Sequence, residues 1–235
     1  LGIALQANGQ LSAAIGSYKK AVEFQPEFYQ AHNNLGAALR EKGHYSSSIE
    51  CYKRALDVKP DYLLAYNNLG IAYKDIGNLQ LAIHTHQKVL DIDPSNSNAF
   101  YRLGRIHRSL GDLKLAKQFL LKALESNSQH TDSLYILSTD IDNATEVTDL
   151  LDFSEYAKTS KMTIRERAMI EFCSANCFHW QKNYRKAAQH IAQANKLKLT
   201  YMPSNLQHRL NQASQLVASA DLIQEGYNND GHGRI

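Results

Sequence analysis

Apolar residues in the first half of the chain keep the spacing of one helix face, in short runs that break and resume. Leu35, Ala38 and Leu39 form one run, and Ile49, Tyr52, Ala55 and Leu56 form the next. Such runs predict pairs of helices joined by tight turns. The pairs recur with a fixed period. Leu35-Gly36, Leu69-Gly70 and Leu103-Gly104 fall 34 residues apart. The same step backward reaches Leu1-Gly2, and forward it reaches Leu137-Ser138. Gly9, Gly43, Gly77 and Gly111 form a second series, and Pro26, Pro60 and Pro94, with Ser128 next, form a third. Ala14, Ser48, Ala82 and Ala116 form a fourth, and Ala21, Ala55, Val89 and Ala123 a fifth. No insertion or deletion breaks the register from Leu1 to about Ser138.

Each series has a physical task. Glycine inside a first helix removes the side chain where the second helix must come close. Gly9, Gly43, Gly77 and Gly111 are expected at helix ends, in the left-handed conformation that glycine adopts without penalty. The small residues of the second helix sit at the crossing with the first. Proline follows the second helix and stops it.

These residues resemble the tetratricopeptide repeat (TPR) pattern, W-x2-L-G-x2-Y followed by A, F, A and P. His32, Tyr66 and Phe100 stand in place of the Trp, and Tyr18, Tyr52 and Tyr73 fill other large positions. Leu39, His86, His107 and Leu120 depart from the pattern. The resemblance implies an all-α fold: a right-handed superhelix of about four helix-turn-helix repeats, extended by divergent C-terminal helices. It divides the chain into an array over 1–130, a divergent extension and cap over 131–226, and a tail or linker over 227–235. Within the array, a half repeat at 1–28 precedes full repeats at 29–62, 63–96 and 97–130.

After His130 the period fades. Ser133 to Asp140 reads as one more first helix. Asn143-Ala-Thr-Glu146 and Thr163-Ile-Arg-Glu166 each match a capping box. The first is expected to open a helix through Leu150, Leu151 and Tyr156, the second a helix to about Gln181. Tyr184 to Lys198 reads as a further helix, with Ala187, Ile191 and Ala194 at second-helix spacing. Pro203 suits the first turn of a last helix ending near Gly226. Phe172-Cys-Ser-Ala-Asn-Cys-Phe178, Asn183-Tyr184 and Ala194-Asn195 are similar to the repeat before the catalytic domain of bacterial TPR–sulfotransferase fusions. That resemblance implies a catalytic domain beyond Ile235.

Composition narrows the function classes. Of 235 residues, 43% are hydrophobic and 21% charged, and only four are proline, which suits a folded helical chain. A net charge of +3 is too small to predict nucleic-acid binding. Three cysteines cannot build a disulfide framework, so a reducing, cytoplasmic setting is expected. No membrane segment and no signal peptide are read, and the Met-less start is expected of a piece of a longer protein.

A TPR array acts through the concave face lined by its first helices. The register places Asn33 and Asn34 there, then Asn67 and Asn68, then Tyr101 and Arg102. Further along the same face come Arg40, Lys74 and Arg108, with Arg105 beside them. Asn side chains donate to and accept from a peptide backbone, and Arg grips carboxylates with paired bonds. The expected partner is therefore an extended, acidic protein segment. The Asn pairs resemble the asparagine ladder of O-GlcNAc transferase. Asn68 and Arg102 also match positions of the chaperone carboxylate clamp, but Ala37 and Asn98 do not. Asp75 and Glu41 interrupt the basic stripe and argue against nucleic acid. Self-association is expected as a further option, through apolar surface at the truncated first unit.

No nucleotide loop, metalloprotease helix or nucleophile elbow is present in the sequence. No catalytic residue, cofactor or metal site is therefore expected. Cys173 and Cys177 lie one helical turn apart with His179 near, too few ligands for zinc, and are expected as packing residues. His86 is expected to be packed and His84 exposed. Trp180 is expected as a packing anchor.

Overall fold

The computed structural model of the chain describes residues 1–141, 147–152, 154 and 161–202. The described residues are helical or in turns and contain no strand. First helices are α1 (Gly2–Ala7), α3 (Tyr29–Glu41), α5 (Leu63–Asp75) and α7 (Ser97–Ser109). Second helices are α2 (Leu11–Phe24), α4 (Tyr45–Val58), α6 (Leu79–Ile92) and α8 (Leu113–Ser126). Helix α9 (Thr131–Thr139) follows, then α10 (Ile164–Trp180) and α11 (Tyr184–Tyr201), with residues 147–152 also helical. The period of the sequence is the period of the helices. Tyr29, Leu63, Ser97 and Thr131 open first helices, and Leu11, Tyr45, Leu79 and Leu113 open second ones. Gly9, Gly43, Gly77 and Gly111 each turn the chain with φ between 74° and 85°.

The chain forms two compact units, Leu1–Ala116 and Lys117–Ile235. In the first, each helix packs against its neighbours in sequence. Ala14, Ser48 and Ala82 are fully buried at the helix crossings. The closest approach lies at the glycines of the first helices. A Cβ on Gly2 would sit 2.5 Å from the Tyr18 ring, one on Gly36 2.7 Å from Tyr52, and one on Gly70 2.6 Å from His86. The aromatic ring of each second helix thus lies on the bare backbone of its first helix. Around this contact Ile49, Tyr52, Leu69, Ala72, Tyr73, Ala82 and Ile106 make one apolar cluster.

In the second unit α10 packs against both α9 and α11. The capping box at Thr163 is present as expected: its hydroxyl accepts from Glu166 N–H, while the Glu166 carboxylate accepts from Thr163 N–H at 2.7 Å. Asn176 Nδ2 donates to Ser138 Oγ at 3.0 Å, and Arg165 pairs with Asp132 at 2.8 Å, both joining α10 to α9. His190 meets Glu171 at 2.6 Å and stacks on Phe178, joining α11 to α10. Helix α10 ends at Trp180, and α11 runs three residues past the expected Lys198. Trp180 is not the expected anchor. The helix ends at this residue, and the indole is left 41% exposed. The α10–α11 turn uses Lys182 at φ 59°, where the other hairpins use glycine. The capping box at 143–146, Tyr156, the last helix over 203–226 and the tail lie outside the described residues.

Three outcomes follow for stability. Gly70→Leu drives a side chain into the His86 ring, and overpacking of this kind costs about 1–3 kcal/mol or more. Its melting temperature drops, and an unchanged one contradicts the contact. Lys182→Gly relieves a left-handed lysine and stabilises by up to about 1 kcal/mol, read from the urea midpoint. The third outcome concerns acid. Burial, reinforced by the Arg102 charge, pushes the His86 imidazole down to about 4. The unfolded chain takes up this proton near pH ~6.5, while the folded chain stays neutral. Stability is therefore full above that pH and falls toward pH 4, by up to roughly 3 kcal/mol. Unfolding curves of the wild type and His86→Tyr across this range measure the part that the tyrosine removes.

Candidate functional site

Residues of successive first helices meet through polar contacts at one offset. Gln6 Nε2 donates to Glu41 Oε2 at 2.9 Å. One unit on, Arg40 pairs with Asp75 at 3.0 Å. Both contacts link a residue to the one 35 positions ahead. Asn68 Nδ2 donates to Asn33 Oδ1 at 3.0 Å across the same step. The aromatic rings below reach up to this ladder. The Tyr18 hydroxyl donates to Gln6 Oε1 at 3.2 Å, and Tyr52 is the electrostatic neighbour of Arg40. Burial works against the Arg40 charge, but the bond from Asp75 and the Tyr52 hydroxyl outweigh it and hold the guanidinium firmly cationic. Burial also raises Tyr52 above its ordinary value.

The structure sorts the residues expected on this face. Asn33 is 2% exposed, and its amide is engaged by Asn68 and Asn34. It braces the array rather than presenting a free amide, because helix–helix contact covers it. Asn34, Asn67, Asn68, Arg40 and Lys74 are half-buried, as are Tyr101 and Arg102, while Arg105 and Arg108 are exposed. Tyr101 gathers two cations over its ring, Arg105 at 5.6 Å and Arg102 at 6.0 Å.

The ladder changes at its third step. The residue 35 positions beyond Lys74 is Ser109, whose hydroxyl donates to the Ile106 carbonyl at 2.7 Å. No carboxylate occupies the place that Glu41 and Asp75 hold for the earlier steps. The ring beneath is also shorter, since His86 stands where Tyr18 and Tyr52 stand in the preceding units. A small cavity opens there, ≈ 10 Å³, lined by Ile71, Lys74, His86, Arg102, Arg105 and Ile106. Among the described residues the buried side-chain polar atoms without a hydrogen-bond partner are Arg40 Nε, Tyr52 Oη, Asn67 Oδ1 and His86 Nδ1. All belong to α3–α6, along or directly beneath this face.

Sequence reading placed Lys74, Arg102 and Arg105 on the face but missed the cavity that joins them. The signal was present in the register, as a histidine in a series of tyrosines and a serine in a series of acids. Lining by Ile71 and Ile106 carried no such signal.

Other candidates are packing groups. Cys173 and Cys177 are fully buried free thiols, and Ser154 Oγ donates to Cys173 Sγ at 3.3 Å. The hydrogen bond with Cys173, with burial, holds the Cys177 thiol well above its ordinary value. Burial pushes Cys51 up to about 11. None is poised as a thiolate nucleophile. His84 is exposed and His86 buried, as expected. No group of three or more His, Cys, Asp or Glu among the described residues could hold a metal ion. No described helix is long and apolar enough to cross a membrane. An apolar groove of ≈ 550 Å³ lies beside Leu1, Ile3, Ala21 and Phe28.

No curated protein matches the sequence. Among solved structures the fold is similar to that of Pseudomonas aeruginosa pilF, with a TM-score of 0.65 at 17% identity, over 91% of this chain and 94% of that one. It is similar also to MamA, with a TM-score of 0.54 at 17% identity, over 86% of this chain and 97% of that one. At these identities the likeness is one of fold alone. Models of the TPR repeat match residues 2–39 and 36–77, and models of the tetratricopeptide repeat match 64–96 and 97–130. With the helix period, the turn glycines and the ring-on-glycine contacts all in that register, the chain belongs to the tetratricopeptide repeat family.

Proposed function

We propose that this protein is an interaction scaffold that holds an extended, acidic segment of a partner protein along its first helices. A tetratricopeptide array is in general a non-catalytic scaffold for protein partners, and this one follows that use. The observation that carries the acidic reading is the change in charge balance along the ladder. Arg40 has its carboxylate in Asp75, whereas Lys74, Arg102 and Arg105 converge without an acidic residue at the matching position. Buried polar atoms left without partners, Asn67 Oδ1 among them, lie along the same path and suit hydrogen bonds to a bound main chain. The groove beside Leu1 and Ile3 favours self-association as a second mode of contact. Recruitment for a sulfotransferase-like domain beyond Ile235 uses the same face and is read directly from the coding sequence downstream.

Arg102→Glu with Arg105→Glu reverses the charge at the centre of the stripe. Circular dichroism should be unchanged, and affinity for a fluorescent Glu-rich peptide at low ionic strength should fall at least a hundredfold. Retained affinity shows that the partner binds elsewhere.

A further inference from the structure

The array departs from its own repeat at one place, and both departures point to the same spot. In the first two units a tyrosine ring lies on the glycine of the first helix and carries its hydroxyl toward Gln6 or Arg40. In the third unit the ring is His86, which lies on Gly70 but lacks the length and the hydroxyl. The ring is 1% exposed and its Nδ1 has no hydrogen-bond partner. The space left over is the ≈ 10 Å³ cavity, room for about one water-sized group. Its walls include three cationic side chains from two successive first helices, Lys74 of α5 and Arg102 and Arg105 of α7. The carboxylate that answers Gln6 and Arg40 at the earlier steps is replaced by Ser109, whose hydroxyl is already donated to Ile106.

A cavity this small does not hold a whole side chain. It holds one oxygen of an oxyanion whose remainder lies in the open groove. The cations supply the counter-charge. The imidazole stays neutral at physiological pH, so it adds no fourth charge and offers its unpartnered nitrogen as a hydrogen-bonding group.

We propose that the cavity above His86 is a carboxylate seat, in which Lys74, Arg102 and Arg105 hold one acidic side chain of the bound segment and fix its register along the array. The missing acid of the ladder is thus supplied by the partner. This rests on the scaffold function above and narrows it to one anchoring position.

The test uses the whole chain and a fluorescent Glu-rich peptide, with two variants that leave Arg102 and Arg105 in place. His86→Tyr refills the cavity with the ring of the preceding units, and Lys74→Gln removes one counter-charge. Each is expected to weaken the peptide about tenfold, with helicity retained. The His86 ring signals of the wild type should also shift on saturation, with the imidazole titrating at higher pH once an anion neutralises its surroundings. Full affinity in both variants, or ring signals unmoved by bound peptide, overturns the seat while leaving groove binding intact. If the wild type does not bind the peptide, the scaffold reading falls by itself. Inorganic phosphate titrated against the His86 signals then decides the seat: a saturating shift lost in Lys74→Gln upholds it, and no shift overturns it.

Discussion

The array depends on one contact, an aromatic ring of each second helix laid flat on the bare backbone of a glycine in the first. At Gly2, Gly36 and Gly70 there is no room for even a methyl group. This closeness sets the spacing within each pair. It lets Ala14, Ser48 and Ala82 be fully buried at the crossing, and it determines how the next first helix can pack. Interiors packed at crystal-like density respond to single atoms, so the identity of the ring has consequences beyond its own unit.

Those consequences appear where the ring changes. Tyrosine fills the space beneath the first-helix face and brings a hydroxyl to it. Histidine preserves the contact with glycine but leaves a gap above, bordered by cations. Fold and site are therefore two results of one position. The packing demand is met by any flat ring, whereas the polarity at its far end is free to vary. A repeat protein can change its surface chemistry in this way without disturbing its helices, because each unit contacts only its neighbours.

The polar ladder shows a similar division of labour. Gln6–Glu41, Arg40–Asp75 and Asn68–Asn33 tie successive units together across solvent-facing edges. Exposed pairs of this kind contribute little stability, about 0–1 kcal/mol each. Their larger effect is to neutralise the stripe over its first two steps and to leave positive charge concentrated at the third. Tyr101 holds the arginines there over its ring, which limits their freedom and reduces the entropy lost when they grip a ligand.

The sequence by itself determined the helix boundaries of the array, the turn glycines and the buried crossings, since an unbroken 34-residue period imposes one geometry on each unit. It also determined the capping box at Thr163, where two side chains and two backbone groups close on each other locally. It did not determine the left-handed turn at Lys182, because no local rule favours lysine there and only the packing of α10 on α11 demands it. It placed Asn33 on the binding face, but the tertiary structure buried it against Asn68. It listed Lys74, Arg102 and Arg105 as separate members of a stripe. Their convergence on one cavity was decided in three dimensions, because a cavity is the difference between the volume a neighbour leaves and the volume a side chain fills. That difference belongs to the packed pair and to neither helix alone.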